Sequence, residues 1–592
     1  MTRNRLRLLG TAAGSALVAG LLASVSTPAV AQVTQLRLEN ADAEPQNWLT
    51  TFQNYSSHRY SRLDEINRDN VGDLTMAFAV PLSFAMRGVN SANLENAPLV
   101  IDGMLYMNDS WGTIYKVDVT SGTEGVVQWV ADPAMDKAAA RGILTTRGIA
   151  AFGDNIYANL VDGRVVSVNA TTGEIVWDSQ IARTEADWDF DAVEGFTAAP
   201  LAVDGRILVG QSMGDWGTRG WLAAVNADTG EEMWRRYAVP GPGEAGHETW
   251  LDDHDAWRTG GGALWTTGSY DPATRLTIWG TANPVPMYDP EFRPGDNLFT
   301  NSALAISIDD GSIAWYFQYT ANESWDYDEI GVHLLYDAMI DGEMRTVVGH
   351  YGRNGFYYQL DRTNGGFINA TQYVSEVTWT AGIDAKTGRP VEYDPALAVQ
   401  VGIPETRITR DNPTVEVCPS HLGGVRWQPT AYNPVTHVAY VAGTDACSTI
   451  TNAPEVPVAT GGNPRGVGQV WLGGTGTATV ASGLITAIDV TTGQVIATAY
   501  PAHHNLAGVL ATAGGLIFTG GQDGAVTAHN DQTLEELWRF NGGIPFKAPP
   551  ISYAIGDRQY IAIIAGGSGG GGYPELAARG PRAGAMLYVF AL

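Results

Sequence analysis

Cysteine is scarce in this sequence, which contains only Cys418 and Cys447 in 592 residues. Neither belongs to a Cys-x-x-Cys-His motif, so a covalently attached c-type haem is excluded. No two-histidine metal motif of the metallohydrolase type occurs, which leaves a hydrolase or lyase with little support. Beyond the first 31 residues no stretch of about 18 uninterrupted apolar residues appears, and we therefore expect no transmembrane span.

Basic residues are also few, with 35 Lys and Arg against 63 Asp and Glu and a formal net charge of −28. A chain this acidic binds nucleic acid and anionic membranes poorly, so we expect neither as a partner. The excess of acid fits either a solubility role or the steering of a basic redox partner.

The N-terminus has the pattern of a secretory signal peptide. Arg3, Arg5 and Arg7 precede an apolar stretch, and Ala29-Val30-Ala31 is a small-x-small cleavage site. We expect residues 1–31 to be removed, which indicates a periplasmic protein, and residues 32–592 to form a single domain. The alternative is a membrane anchor, which the cleavage motif disfavours.

One unit recurs along the chain: a short apolar strand, then Asp or Asn, a turn with Gly, and often a Trp. Examples run from Val166 to Trp177, from Leu222 to Trp234 and from Leu304 to Trp315, with a weaker copy ending at Trp538. Asx-turn chemistry and 70 glycines suit many short strands joined by tight turns. Radial repetition of such sheets predicts an all-β propeller, with a pair of β-sandwiches as the alternative. We expect these four tryptophans to pack between sheets and the strand near residues 586–590 to close the ring with an N-terminal strand.

Over nearly the whole mature chain, the sequence resembles the PQQ-dependent methanol and ethanol dehydrogenases, where PQQ is pyrroloquinoline quinone. The Trp-ended repeat carries the resemblance together with the segments GQSMGDWGTRG, GGGALW, GTANPVP, ESWDYDE, GRNG and CPSHLGGVRWQP. The resemblance implies an eight-bladed β-propeller with tryptophan docking. It also implies oxidation of an alcohol by hydride transfer to PQQ, with electrons passed to a separate cytochrome c.

The resemblance implies a metal site built from Asp215, Asn283, Asp326 and Asp328. Oxygen ligands suit Ca²⁺, while three carboxylates favour a more highly charged lanthanide ion, and both alternatives stay open. Members of the family usually carry Glu at the position of Asp215, which is one methylene shorter. Asp326 corresponds to the catalytic base, and Arg353 to a cation beside the reactive oxygens.

The same resemblance assigns the remaining site residues. Trp265 corresponds to the flat floor beneath the quinone ring. The other expected cofactor contacts are Glu95, Arg147, Thr197, Ser212, Gly214, Arg353, Arg426 and Trp427. Cys418 and Cys447 are implied to form a disulfide, which an exported protein with two cysteines also favours.

The sequence departs from the family at the walls of the site. Many relatives have adjacent cysteines where this chain has Arg141-Gly142, and methanol oxidisers have Trp near the positions of Leu506 and Tyr573. We therefore expect a substrate bulkier than methanol, such as a sugar, polyol or polycyclic alcohol. The rival interpretation is a non-catalytic propeller that serves as a binding scaffold. The sequence is compatible with a monomer or a homodimer.

Overall fold

The computed structural model of the chain describes residues 32–82, 93–135, 144–182, 194–453, 473–479, 481–567, 573–578 and 584–592. Strands dominate these residues, and the α-helices among them are the short segments Gln35–Glu39 and Pro574–Ala577. Short 3-10 turns cover Ala41–Ala43, Val71–Asp73, Gly214–Trp216, His247–Thr249 and Ala256–Thr259. No helix in the described part is long and apolar enough to cross a membrane. The signal-peptide prediction falls on residues 1–31, outside the described ranges.

Within the described ranges, eight sheets are built around four antiparallel strands each, and we number them 1 to 8 in chain order. Sheets 1 to 4 comprise Leu99–Ile101, Met104–Asn108, Ile114–Asp118 and Val126–Ala131; Ala150–Phe152, Asn155–Asn159, Arg164–Asn169 and Ile175–Gln180; Leu201–Val203, Arg206–Gly210, Trp221–Asn226 and Glu232–Tyr237; and Ser269–Asp271, Leu276–Gly280, Ser302–Ser307 and Ile313–Gln318. Sheets 5 to 8 comprise His333–Ile340, Glu343–Tyr351, Phe356–Asp361 and Phe367–Gln372; Ala431–Asn433, Val438–Asp445, Ser482–Asp489 and Gln494–Ala499; Val509–Thr512, Leu516–Gly520, Ala525–Asn530 and Glu536–Asn541; and Ile551–Ile555, Arg558–Gly566, Ala585–Ala591 and Thr75–Pro81.

Asx turns join the third and fourth strands, as the repeat predicts. In sheet 2, Asn169 Oδ1 accepts hydrogen bonds from the main-chain N–H groups of Thr171 at 3.0 Å and Thr172 at 2.9 Å. Gly173 follows with a φ of 77°, a conformation that costs glycine little. The local sequence therefore determines where each of these hairpins turns.

The N-terminal and C-terminal parts of the chain meet in sheet 8. Strand Thr75–Pro81 pairs antiparallel with Ala585–Ala591, with Val80 opposite Leu587. The predicted pairing of the last strand with an N-terminal strand is confirmed. The short strand Tyr60–Ser61 also runs parallel to the first strand of sheet 7, with Tyr60 opposite Ala511.

Tryptophan side chains link successive sheets. Trp177 of sheet 2 donates its indole N–H to Ala227 O of sheet 3 at 3.0 Å, and Trp234 of sheet 3 donates to Ile308 O of sheet 4 at 3.0 Å. A Cβ on Gly230 would approach the Trp177 ring to 2.7 Å, and a Cβ on Gly311 would approach the Trp234 ring to 2.6 Å. Each ring therefore lies against the turn glycine of the following sheet. Trp129, Trp315 and Trp538 donate in the same way to Ala170 O, Arg362 O and Leu74 O.

Two smaller sheets complete the described structure. Strands Asn93–Leu94 and Thr145–Thr146 pair in parallel, and Thr414–Val417, Ser448–Asn452 and Gly474–Ala478 form a three-stranded sheet. The disulfide between Cys418 and Cys447 closes a 29-residue separation beside the three-stranded sheet. It confirms the predicted pairing, and it links the start of the segment 418–426, which carries Arg426, to Cys447.

Candidate functional site

Seven of the predicted site residues lie in loops at the same end of their sheets. Glu95, Thr197, Trp265 and Trp427 each lie four residues before the first strand of sheets 1, 3, 4 and 6. Asp215, Asn283 and Arg353 lie between the second and third strands of sheets 3, 4 and 5. In an antiparallel sheet the start of the first strand lies beside the end of the second strand. The loops before the first strands and the loops after the second strands therefore lie at the same end of their sheets.

Arg147 is the centre of the expected cofactor contacts. Its guanidinium forms an ion pair with Glu95 at 2.8 Å and donates to Thr197 Oγ1 at 2.6 Å. The same group lies 4.6 Å from the ring centre of Trp265 and 5.4 Å from that of Trp427. The structure thus brings together five residues that are spread over more than 300 positions of sequence.

Ser212 belongs to this cluster through Thr197. Its Oγ lies 3.0 Å from both the main-chain N and the Oγ1 of Thr197. Residues 210–214 match the letters Gly-x-Ser-x-Gly, but a hydrolase nucleophile needs a histidine base, and the partner here is a threonine. Gly214 starts the 3-10 turn that carries Asp215, and a Cβ there would contact Ala263 Cβ at 3.0 Å.

Three aspartates form a second, negatively charged part of the site. Burial raises the pKa of Asp215 to about 8, and the charges of Asp328 and Asp326 add to the increase. Burial also raises the pKa of Asp326 to about 7, with Arg353 opposing and Asp328 supporting the rise. Buried carboxylates that repel one another are an arrangement that a bound cation stabilises.

Asn283 has the unpartnered oxygen that a cation ligand requires. Its Oδ1 is buried and has no hydrogen-bond partner among the described residues, while its Nδ2 donates to Pro284 O at 3.1 Å. Asp328 is more occupied, because it accepts the main-chain N–H of Asn283 at 2.6 Å and the indole N–H of Trp265 at 3.0 Å. Hard oxygen donors with one orphaned carbonyl fit Ca²⁺ or a lanthanide ion.

Arg353 connects two of the three aspartates to Glu329. Nη2 lies 3.1 Å from Asp326 Oδ2 and Nη1 lies 3.0 Å from Asp328 Oδ2, with the guanidinium almost fully buried. The main-chain N–H of Arg353 donates to Glu329 Oε2 at 3.0 Å, and His350 Nε2 lies 2.9 Å from the same oxygen. The Glu329–His350 pair therefore holds the loop that positions the guanidinium.

The backbone around Asp326 is also held by a buried acid. Asp326 has a φ of 69°, a conformation that non-glycine residues adopt only when neighbours hold them. Glu323 Oε1 accepts the main-chain N–H groups of both flanking residues, Trp325 and Tyr327, the latter at 3.0 Å. This turn presents the Asp326 carboxylate toward Arg353.

Sequence reasoning missed several residues of the site. Burial lowers the pKa of Lys547 and of His504, and Arg426 lowers both further. Burial raises the pKa of Tyr288, and Asp326 adds to that rise. The only sequence signal for Lys547 is its spacing, four residues before the first strand of sheet 8. The nitrogen atoms Arg426 Nε and Trp427 Nε1 are buried without a hydrogen-bond partner in the described part of the chain.

The structure describes two of the positions at which the sequence departs from the family at the walls of the site. Tyr573 is buried, accepts the main-chain N–H of His504 at 2.8 Å and donates to Ala481 O at 2.8 Å. Its hydroxyl is therefore engaged by the protein. Leu506 lies in the loop before sheet 7. Arg141-Gly142 falls in residues 136–143, outside the described ranges.

The chain is similar to several known proteins. The family model for PQQ, glucose/ethanol/alcohol dehydrogenase, beta-propeller domain, matches residues 48–376. Quinoprotein alcohol dehydrogenase PedH of Pseudomonas putida is 32% identical over 100% of this chain and 98% of its own length. A quinoprotein ethanol dehydrogenase of Pseudomonas putida is 31% identical over 95% of this chain and 92% of its own length.

Solved structures give the same result. The quinohemoprotein alcohol dehydrogenase ADHIIG of Pseudomonas putida superimposes with a TM-score of 0.85 at 29% identity, covering 96% of this chain and 83% of that one. A europium-containing methanol dehydrogenase superimposes with a TM-score of 0.82 at 28% identity, covering 94% of this chain and 100% of that one.

Proposed function

Because this chain belongs to the family of PQQ-dependent quinoprotein alcohol dehydrogenases, we propose that it oxidises a primary or secondary alcohol to an aldehyde or ketone. When bound, PQQ supplies the hydride acceptor and the metal ion supplies Lewis acidity. The observation that supports this proposal most directly is the meeting of Asn283 Oδ1, three aspartates and Arg353 at the edge where Trp265 lies.

Asp326 is the proposed base. Its carboxylate takes the hydroxyl proton of the substrate, for which it must be ionised. A cation beside it lowers its pKa from the raised value of the metal-free protein, so the loaded site keeps the carboxylate charged. Arg353 holds Asp326 in place through Nη2 and provides a fixed positive charge for a developing oxyanion.

Asp215, Asn283, Asp326 and Asp328 are the proposed metal ligands. Both carboxylate oxygens of Asp328 already accept hydrogen bonds, one from the Trp265 indole and one from the Asn283 main chain, and these bonds compete with metal binding. Ca²⁺ and a lanthanide ion both fit the oxygen donors, and three carboxylates favour the higher charge. Reconstitution of metal-free protein with PQQ and either Ca²⁺ or La³⁺ distinguishes the two by the activity recovered.

Trp265 is the proposed floor of the quinone, and the other cofactor contacts surround it. The remaining proposed contacts are Glu95, Arg147, Thr197, Ser212, Gly214, Arg353, Arg426 and Trp427. The hydrogen bonds around Arg147 and the orphaned nitrogen atoms of Arg426 and Trp427 support them, because a flat tricarboxylate needs both donors and an apolar surface.

The eight four-stranded sheets are the proposed blades of an eight-bladed propeller that forms one domain over residues 32–592. The indole hydrogen bonds between successive sheets and the pairing of the chain ends in sheet 8 support this arrangement. Residues 1–31 are the proposed signal peptide, which would direct the enzyme to the periplasm. A soluble cytochrome c is the proposed electron acceptor, since the chain contains no haem-attachment motif.

The proposed substrate is bulkier than methanol, because Leu506 and Tyr573 stand near positions where methanol oxidisers carry Trp. A panel of alcohols with a dye acceptor tests this through kcat/KM. We expect higher values for sugars, polyols or polycyclic alcohols than for methanol. High activity on methanol with none on every bulky alcohol would reject the proposal.

The base is tested by Asp326→Asn on protein loaded with PQQ and metal. We expect turnover to fall by at least 10³-fold while the quinone absorbance band stays, because a positioned base contributes about 10²–10⁴-fold and this residue also touches the metal. Full turnover with quinone bound would refute the assignment. A wild-type protein that never takes up PQQ would instead favour a non-catalytic scaffold.

A further inference from the structure

We propose that Lys547 and Arg426 together bind a carboxylate group at the wall of the site. This inference rests on the proposed function, because it concerns the same site. It adds a residue that no sequence motif indicated, and it names the chemical class of the group that the residue recognises.

The position of Lys547 in its sheet is the first argument. Ile551 starts the first strand of sheet 8, and Lys547 lies four residues before it. Glu95, Thr197 and Trp265 have the same spacing before the first strands of sheets 1, 3 and 4. Those three side chains all contact Arg147, so this position of the repeat faces the site.

The contacts of Lys547 agree with its position. Its Nζ donates a hydrogen bond to Asn93 Oδ1 at 2.7 Å, two residues before Glu95. Glu95 in turn is paired with Arg147 at 2.8 Å, so its charge is already compensated. An ammonium has three donors, and the described structure supplies one acceptor for it.

The charge balance of the wall is the third argument. Among the described residues, no carboxylate lies within ion-pair distance of either Lys547 or Arg426. Burial lowers the pKa of both cations. Arg426 lowers the pKa of Lys547 further while Glu95 raises it, and Arg353 lowers the pKa of Arg426 further. Both side chains are partly buried without a carboxylate of the described residues at ion-pair distance, an arrangement that a bound anion stabilises.

The aspartates do not supply that anion once the site is loaded. Asp326, Asp328 and Asp215 raise the pKa of Arg426 through longer-range attraction. A bound Ca²⁺ or lanthanide ion would take up their charge and leave Arg426 and Lys547 uncompensated. Arg426 Nε, which is buried without a partner, and the free donors of Lys547 then offer charge-assisted hydrogen bonds to a carboxylate.

Two molecules could carry the carboxylate: the tricarboxylate PQQ, or an alcohol substrate that bears an acid group. The test uses Lys547→Met, with Lys116→Met as the matched control. Lys116 is buried whereas Lys547 is partly buried, and Lys116 lies in sheet 1 over the Tyr106 ring, outside the site. Lys547→Gln is the second variant if the methionine variant does not fold, as judged by its thermal transition.

The first measurement is PQQ binding to metal-loaded apoprotein by isothermal titration calorimetry. If the carboxylate belongs to the cofactor, we expect at least tenfold weaker PQQ binding for Lys547→Met and no change for Lys116→Met. The second measurement is KM for a hydroxy acid and for its neutral amide or ester. If the carboxylate belongs to the substrate, KM for the acid rises at least tenfold while KM for the neutral analogue and PQQ binding stay constant.

Unchanged PQQ affinity together with unchanged KM for both alcohols would overturn the proposal. That result leaves the proposed function intact, because the wild-type protein would still bind PQQ and oxidise alcohols. Failure of the wild-type protein to bind PQQ is a different outcome and would refute the proposed function itself.

Discussion

Addition of a metal ion to the metal-free protein should release protons. Asp215 and Asp326 have raised pKa values because they are buried and lie near Asp328, so near neutral pH they carry protons that a cation must displace. The perturbation is therefore a titration of La³⁺ or Ca²⁺ into apoprotein, and the observable is the number of protons released per ion bound.

The magnitude follows from the two pKa values. With a pKa of about 8, Asp215 is about 90% protonated at pH 7, and with a pKa of about 7, Asp326 is about half protonated. Binding at pH 7 should release about 1.4 protons, and binding at pH 9 about 0.1. The two carboxyls interact, so the sum is the measured quantity rather than either share.

Isothermal titration in two buffers of different ionisation enthalpy measures this number. Asp215→Asn is the matched variant, and its release at pH 7 should fall to about 0.5 proton. Ion binding at pH 7 with no proton release by the wild-type protein would refute the reasoning, because the cluster would then already be fully ionised.

The same pKa shifts determine the sign of the stability dependence on pH. The folded-state pKa values of Asp215 and Asp326 are raised above the unfolded value of 3.8. Their contribution to stability is thus fully present below about pH 4 and is lost as pH rises through 7 to 8. Metal-free protein should therefore lose stability between pH 5 and pH 8, whereas metal-loaded protein should not.

Three further outcomes are expected. Trp234→Phe should lower the free energy of unfolding by about 1–3 kcal/mol in a denaturant titration, because the carbonyl of Ile308 loses its donor, and an unchanged value would contradict an inter-sheet role. Serine at both Cys418 and Cys447 should cost roughly 3–4 kcal/mol by the loop-entropy model, measured in the same way without reductant. Glu329→Gln should lower kcat by at least tenfold with PQQ affinity retained, since the arginine loop loses its buried charged acceptor; equal loss of PQQ affinity would indicate general disruption.

Local sequence predicted the elements of the fold well. The Asx turn that ends at Gly173 and the tryptophan after it are short-range features, and hydrogen bonds within a few residues determine them. The disulfide between Cys418 and Cys447 followed from family resemblance and the even cysteine count. The family motifs also predicted that Asn283 and Asp326 lie close together, and Asn283 contacts Asp328 while Asp326 and Asp328 both contact Arg353.

Other site residues could not be predicted, because their partners are distant in sequence. Lys547 and Asn93 are separated by 454 positions, and nothing around either residue indicates the other. The role of Glu329 depends on His350 and on the main chain of Arg353, which meet it only when sheet 5 forms. In the sequence, Glu329 is an acidic residue next to Asp328, and nothing in the neighbouring residues distinguishes a buried acid that holds a loop from an exposed acid on the surface.

The sequence by itself determined the strands, their turns and the chemistry available at each loop, because these depend on neighbouring residues. The tertiary structure decided which of those loops meet, because their convergence depends on the stacking of sheets that lie far apart in the chain. The charge environment follows from that convergence. The raised pKa of Asp215, the orphaned oxygen of Asn283 and the lowered pKa of Lys547 all arise from burial beside groups that the chain brings together only on folding.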